Sequence, residues 1–144
     1  MIRLTQEQAQ AIRTHGEDDF PHECCGVILG DVVEGVKIVR ELRRLTNTHE
    51  EGHERRYLIA PEEMLALQRE EFRTKRKILG FYHSHPNHPA EPSIYDRDWA
   101  WAWWTYVIVS VREGVPERMR AWQLDEEREA FFEEDLAIDT DERR

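Results

Sequence analysis

ILGFYHSHPNHPAEPSIYDRD, residues 78–98, is the stretch around which the rest of the chain is organised. It opens as an apolar, aromatic run of strand character and places His83 and His85 two residues apart. It then breaks at Pro86, crosses a proline-rich loop and restarts at Pro92-Ser93. Side chains along a strand alternate faces with a period of two, so the two histidines share one side while Ser84 points away. Ser93 and Asp96 have the S-x-x-[DE] spacing of a capped helix start, which predicts Asp96 in a first helical turn beside the loop. Two imidazoles and one carboxylate are three protein ligands. A catalytic zinc site uses three, because its fourth position stays open to water.

Taken singly, a histidine pair is more often a surface pair, and an S-x-x-D is more often only a cap. The joint pattern H-x-H-x7-S-x2-D is rarer. With 7 His, 3 Ser and 9 Asp in 144 residues, a chance match to all of it is improbable. Pro86, Pro89 and Pro92 stiffen a connection whose ends have to be held in register. The metal reading is the stronger one.

These residues resemble the JAMM motif of the MPN-domain (Mov34/JAB-type) zinc metallopeptidases, E…H-[ST]-H-x7-S-x2-D, met here as Glu23, His83-Ser84-His85, Ser93 and Asp96. The likeness in layout runs over roughly residues 1–125, with 126–144 as a C-terminal extension packed on, or fraying from, the same domain. It implies an α/β fold: a single MPN-type domain with a mixed, largely antiparallel central sheet flanked by helices. It implies zinc (Zn2+) held by His83, His85 and Asp96, with Glu23 as general base and Ser93 as an oxyanion donor. The chain is too compact for the insertions of eukaryotic deubiquitinating relatives and is more similar to the short prokaryotic JAMM proteins. The implied partner is the C-terminal tail of a ubiquitin-like (sulfur-carrier) protein, and the implied reaction is hydrolysis of the amide after its Gly-Gly. Two other readings stand beside this one. One is a metal-free or non-catalytic MPN scaffold for protein–protein assembly, though such scaffolds lose the ligand set present here. The other is a structural zinc site, which needs His88 or His22 as a fourth ligand.

Composition bounds the alternatives. A chain of 144 residues fits one domain. Charged residues make up 35% and mean hydropathy is −0.77, yet 40% of residues are hydrophobic, which points to a globular protein with a strongly charged surface. Twenty Lys and Arg against thirty Asp and Glu leave a net charge of −10, a poor basis for binding nucleic acid or an anionic membrane. No apolar run approaches a membrane span and the N-terminus lacks a signal-peptide core, so a cytoplasmic location is the default expectation. Cys24 and Cys25 are adjacent and cannot form a disulfide framework. The absence of C-x-x-C speaks against the zinc deaminases.

Along the chain, Thr5 with Gln8 predicts a capped helix to about Glu17, and Cys24–Gly30 a buried strand with Glu23 at its mouth. A turn over Asp31–Gly35 should form a hairpin into Val36–Val39 and Leu42–Leu45. Thr46–Arg55, with His49 and His53, is polar loop, and Arg56–Ile59 a short strand. Pro61 opens a helix to about Lys77 whose buried side is Met64, Leu65, Leu67 and Phe72. A third helix is expected from Ser93 to about Trp104. Its Trp99, Trp101, Trp103 and Trp104 cannot all face one side, which leaves room for a partner or homodimer face. Tyr106–Val111 is the most strand-like run, Gly114-Val115-Pro116 a turn, Arg118–Leu124 an edge strand, and Arg128–Ile138 a final strand or helix before a frayed tail from Asp139.

Overall fold

The structure, a computed structural model, describes residues 1–47, 59–94, 96, 100–125, 127 and 130–139. The elements in order are β1 (Ile2–Thr5), α1 (Gln6–Asp19), β2 (Cys25–Val33), β3 (Val36–Leu45), α2 (Pro61–Thr74), β4 (Lys77–Pro86), β5 (Thr105–Arg112), β6 (Val115–Asp125), β7 (Ala130–Glu134) and β8 (Leu136–Asp139). The eight strands of the described residues join one sheet in the order β7-β6-β5-β4-β2-β3-β1-β8. The β2–β3, β2–β4, β5–β6 and β6–β7 pairs are antiparallel, while β1–β3, β1–β8 and β4–β5 are parallel. This is the expected α/β class, with a mixed and largely antiparallel sheet.

β7 and β8 lie at opposite edges of that sheet, yet only Asp135 separates them in sequence. Eight strands laid flat at about 4.8 Å spacing would put their edges roughly 34 Å apart. One intervening residue bridges only about 7 Å between its neighbours. The sheet therefore curls until its edges meet. Ile2 N–H donates to the Asp135 carbonyl at 2.9 Å, and inside the closure the Lys37 ammonium lies 3.2 Å from Glu134, which also accepts from Thr105 Oγ1 at 2.8 Å.

Period-two alternation divides the buried residues between the two faces. α1 lies over one of them, where Ile12 joins Ile2, Leu4, Ile28, Tyr82, Val107, Val109 and Val111. On the other, Leu67 of α2 packs with Val27, Leu29, Ile78, Phe81, Trp104 and Tyr106. A register shift between Ile28 and Leu29 lets Leu79 and Tyr82 fall on the α1 face although they are three residues apart. Beyond it the alternation is regular, so Ser84 follows Tyr82 toward α1, while His83 and His85 follow Phe81 to the other face.

The capping box is present, with Gln8 N–H donating to Thr5 Oγ1 at 3.0 Å and Thr5 N–H to Gln8 Oε1 at 2.9 Å. The two hairpin turns are tighter than expected. Glu34-Gly35 and Glu113-Gly114 both hold positive φ, the two-residue turn that matches strand twist, so β2 runs through Val33 and β6 takes in Val115 and Pro116. Pro116 is tolerated because β7 pairs with β6 only from Ala121 onward.

Helix α2 stops at Thr74, three residues short of expectation. Lys75 turns left-handed and donates to Glu71 O at 2.9 Å, and Lys77 instead opens β4 opposite Gly30. Leu67 is buried and Met64 half-buried, but Leu65 is exposed and Phe72 is 88% exposed. Leu65 and Phe72, seven residues apart, share a stripe about 200° round the helix from Leu67.

The third helix does not reach Trp104. Ile94 and Asp96 are helical, whereas residues 100–104 are not, and Trp104 N–H closes a turn on Trp101 O at 3.2 Å. That turn drives Trp104 into the core, edge-on to Phe81 at 5.0 Å, and leaves Trp101 and Trp103 outside. The run expected over residues 128–138, open between strand and helix in the sequence, supplies β7 and β8 from Ala130 onward, and Asp139 belongs to β8. The expectations for His49, His53, Arg56–Leu58, Trp99 and the tail beyond Asp139 lie outside the described residues; Ile59 carries no strand. Among the described residues no helix is long and apolar enough to cross a membrane.

Candidate metal centre

The antiparallel register of β2 on β4 builds the site. Cys25 pairs with His83, and Ser84 N–H donates to Cys24 O at 3.2 Å, so continuing that register sets Glu23 opposite His85. Glu23, His83 and His85 thus come to the same face. The proline-rich loop then folds back to bring Asp96 over them. Each of the four offers a ligand atom, these atoms lie within 4.8 Å of one another, and all four residues are buried.

Three of the residues approach more closely still. His83 Nε2 lies 3.0 Å from Asp96 Oδ1, His85 Nε2 lies 3.0 Å from Asp96 Oδ2, and the two Nε2 atoms are 3.2 Å apart. Zinc–nitrogen and zinc–oxygen bonds of about 2.0–2.1 Å give a tetrahedral edge of about 3.3 Å. The donor separations are close to that edge.

Their protonation points the same way. His85 Nδ1 faces the Pro89 carbonyl at 2.8 Å, and only an N–H can make that bond. Nε2 is thereby left facing an Asp96 oxygen at 3.0 Å, where a cation can be shared between them, and a histidine oriented by a carbonyl on its other nitrogen is the usual preparation of a ligand. Burial holds His83 below its ordinary pKa and hence neutral at neutral pH. Burial alone would raise Asp96, but the imidazoles beside it and their hydrogen bonds outweigh that and keep it well below the usual carboxylate range. Neutral imidazole and ionised carboxylate are the ligating forms. The residues fit zinc.

Glu23 is distinct from these three. Its burial, followed by the negative charge of Asp96, pushes its carboxyl up to about 9, and Oε1 makes no hydrogen bond among the described residues. A cation held by the other three would offset the Asp96 charge and return Glu23 toward its ionised form.

Ser93 makes the reciprocal cap. Asp96 N–H donates to Ser93 Oγ at 3.1 Å, and Ser93 N–H donates to Asp96 Oδ2 at 2.8 Å. The cap therefore also orients a candidate donor. Ser93 and exposed Ile94 face a cavity of about 360 Å³, completed by Glu91, Pro92, Trp122, Ala130 and Phe131. His22 and His88 are exposed and stand outside the four-residue group, so neither supplies a fourth ligand. Cys24 and Cys25 are also buried outside the group, and burial pushes the Cys24 thiol up to about 12 and Cys25 higher still.

Three of the contacts around the site were not foreseen in the sequence. The Pro89 carbonyl fixes the His85 tautomer, Ser84 Oγ accepts from Cys24 N–H at 2.8 Å, and Asn47 Nδ2 donates to Glu23 O at 3.2 Å. The S-x-x-D and H-x-H spacings carry no trace of a backbone carbonyl. Asn47 sits in a polar run that has no periodicity to mark it.

The family described as prokaryotic homologues of the JAB domain matches residues 5–125. A desampylase of Haloferax volcanii is 32% identical over 135 residues, 89% of this chain and 92% of that protein. A solution structure of a Salinibacter ruber protein is similar at TM-score 0.73 and 38% identity, covering 100% of this chain and 95% of its own. One from Desulfitobacterium hafniense, at TM-score 0.82 and 24% identity over 98% of this chain and 94% of its own, supports the fold alone.

Proposed function

Because this chain belongs to the family of prokaryotic JAB-domain homologues, we propose that it is a zinc metallopeptidase that hydrolyses the amide after the C-terminal Gly-Gly of a ubiquitin-like, sulfur-carrier-type protein. The observation that carries the proposal is the convergence of His83 Nε2, His85 Nε2 and Asp96 at 3.0–3.2 Å, with the buried Glu23 carboxyl beside them. The similarity to a desampylase supports a hydrolase acting on a ubiquitin-like protein conjugate.

His83, His85 and Asp96 would hold the ion. When bound, zinc supplies a Lewis acid that polarises a carbonyl and lowers the pKa of a water from about 15.7 toward roughly 7. Glu23 takes a proton from the attacking water and returns it to the leaving amine, a role that contributes roughly 10²–10⁴-fold. The Ser93 oxygen accepts Asp96 N–H and so is fixed in place, and its own O–H donates to the oxygen of the scissile carbonyl. The loss of such a donor costs about 10²–10³ in rate. We read residues 126–144 as part of the same domain as 1–125, because β7 and β8 complete its sheet.

The test is cleavage of a Gly-Gly-linked conjugate of a ubiquitin-like protein before chelation, after it, and after zinc is restored. Loss and recovery of cleavage are expected. Hydrolysis that survives complete metal removal overturns the proposal, and bound zinc with no turnover on any such conjugate favours the scaffold reading.

A further inference from the structure

We propose that Ser84 and Asn47 are positioning residues that lock the peptide unit after Glu23 and thereby fix where its carboxylate stands; this rests on Glu23 being the proton carrier. β2 begins only at Cys25, so Glu23 lies beyond the sheet ladder that would otherwise hold its backbone. The planar unit joining Glu23 to Cys24 has one acceptor and one donor. Both are taken: Glu23 O accepts from Asn47 Nδ2 at 3.2 Å, and Cys24 N–H donates to Ser84 Oγ at 2.8 Å. Ser84 N–H in turn donates to Cys24 O at 3.2 Å, so Ser84 grips the chain beside Glu23 at two points.

Ser84 stands between the two metal-site histidines, so β4 presents imidazoles from one face and holds the backbone of the proton carrier from the other. Ser84 is fully buried, and its Cβ faces Gly16 of α1 near Val109 and Val111. In that apolar setting alanine would fill nearly the same space. The hydroxyl adds the bond to Cys24 N–H, together with a contact to the Cys24 thiol of the same residue. Asn47, just past the end of β3, grips the other side of the same plane. The orientation of that plane sets ψ of Glu23 and hence the direction of its side chain. A misplacement of about 1 Å at a reacting group can cost roughly 10²-fold in rate.

The experiment uses the zinc-loaded full chain as parent and as Ser84→Ala, Ser84→Thr and Asn47→Ala. The readouts are zinc content, kcat and KM on a Gly-Gly-linked aminocoumarin conjugate of a ubiquitin-like protein, and hydrogen exchange at the Cys24 amide. For Ser84→Ala, kcat is expected to fall about 10- to 100-fold, with KM and zinc content within about twofold of the parent. Exchange of the Cys24 amide should accelerate about tenfold or more. Ser84→Thr should restore both, and Asn47→Ala should lower kcat several-fold in the same pattern. A Ser84→Ala enzyme with parental kcat overturns the inference, as does a loss confined to zinc content or KM, or one that threonine does not rescue. If Ser84→Ala does not fold, Asn47→Ala decides alone, and unchanged kcat there overturns it. A parent without chelator-sensitive hydrolysis defeats the proton-carrier reading instead, and the Cys24 exchange rates then report whether the lock itself exists.

Discussion

At the scale of single residues, Glu23 carries the sharpest consequences. Its folded-state pKa of about 9 exceeds the ordinary 4.5 because burial and the Asp96 charge both oppose ionisation. The folded, metal-free chain therefore holds this proton more tightly than the unfolded one. Stability from this group is undiminished below about pH 4.5 and is lost progressively as pH rises toward about 9, by an amount of the order of a few kcal/mol. In thermal melts of metal-stripped protein, Glu23→Gln should match the parent near pH 4 and exceed it near pH 8. A variant that melts lower than the parent at the alkaline end would contradict this assignment. With zinc restored, the same substitution should leave metal content unchanged while hydrolysis falls roughly 10²–10⁴-fold. His83→Ala and Asp96→Ala should instead lose the metal, which elemental analysis of dialysed protein would register directly.

At the scale of elements, local chemistry made some boundaries legible and left others hidden. Thr5 and Gln8 announce the start of α1 because a capping box is complete within four residues. Thr5→Ala should cost about 1 kcal/mol and lower Tm by roughly 3–5 °C in calorimetry. Glu34-Gly35 announces its hairpin for the same reason, since the turn needs nothing distant. The end of α2 was not legible, because Lys75 and Lys77 suit a helix C-terminus as well as they suit the strand that claims Lys77 through Gly30. Nor was the exposure of Phe72. An apolar residue at helical spacing suggests a core face, and only the tertiary placement of Leu67 shows which stripe is inward. Phe72→Ser should change stability by less than about 0.5 kcal/mol. Phe81→Ala, whose ring packs between Trp104 and Tyr106, should cost about 3–5 kcal/mol in urea unfolding. At the metal-site stretch, H-x-H and S-x-x-D are short-range patterns, and the four-residue cluster could be read from them together with Glu23. The Ser84 and Asn47 contacts bring together β4, the end of β3 and the entry to β2, which no local pattern records.

At the scale of the whole molecule, the curled sheet ties its two edges through Asp135 and the Lys37–Thr105–Glu134 contacts. Glu134→Ala leaves a largely buried ammonium without its carboxylate and should cost roughly 2–3 kcal/mol, toward the low side because Lys37 keeps some contact with water. A urea midpoint equal to the parent's would show that the closure contributes nothing to stability. The same sheet brings β2 and β4 into the register that gathers Glu23, His83 and His85, with Asp96 supplied by the crossover that leads to β5. As proposed, this framework holds zinc on two imidazoles and one carboxylate, with a place left for water. The decisive measurement is X-ray absorption at the zinc edge, on protein loaded one to one. About four nitrogen and oxygen neighbours near 2.0–2.1 Å and no sulfur are expected. A sulfur shell near 2.3 Å, which would implicate Cys24 or Cys25, or a failure to load zinc at all, would contradict it.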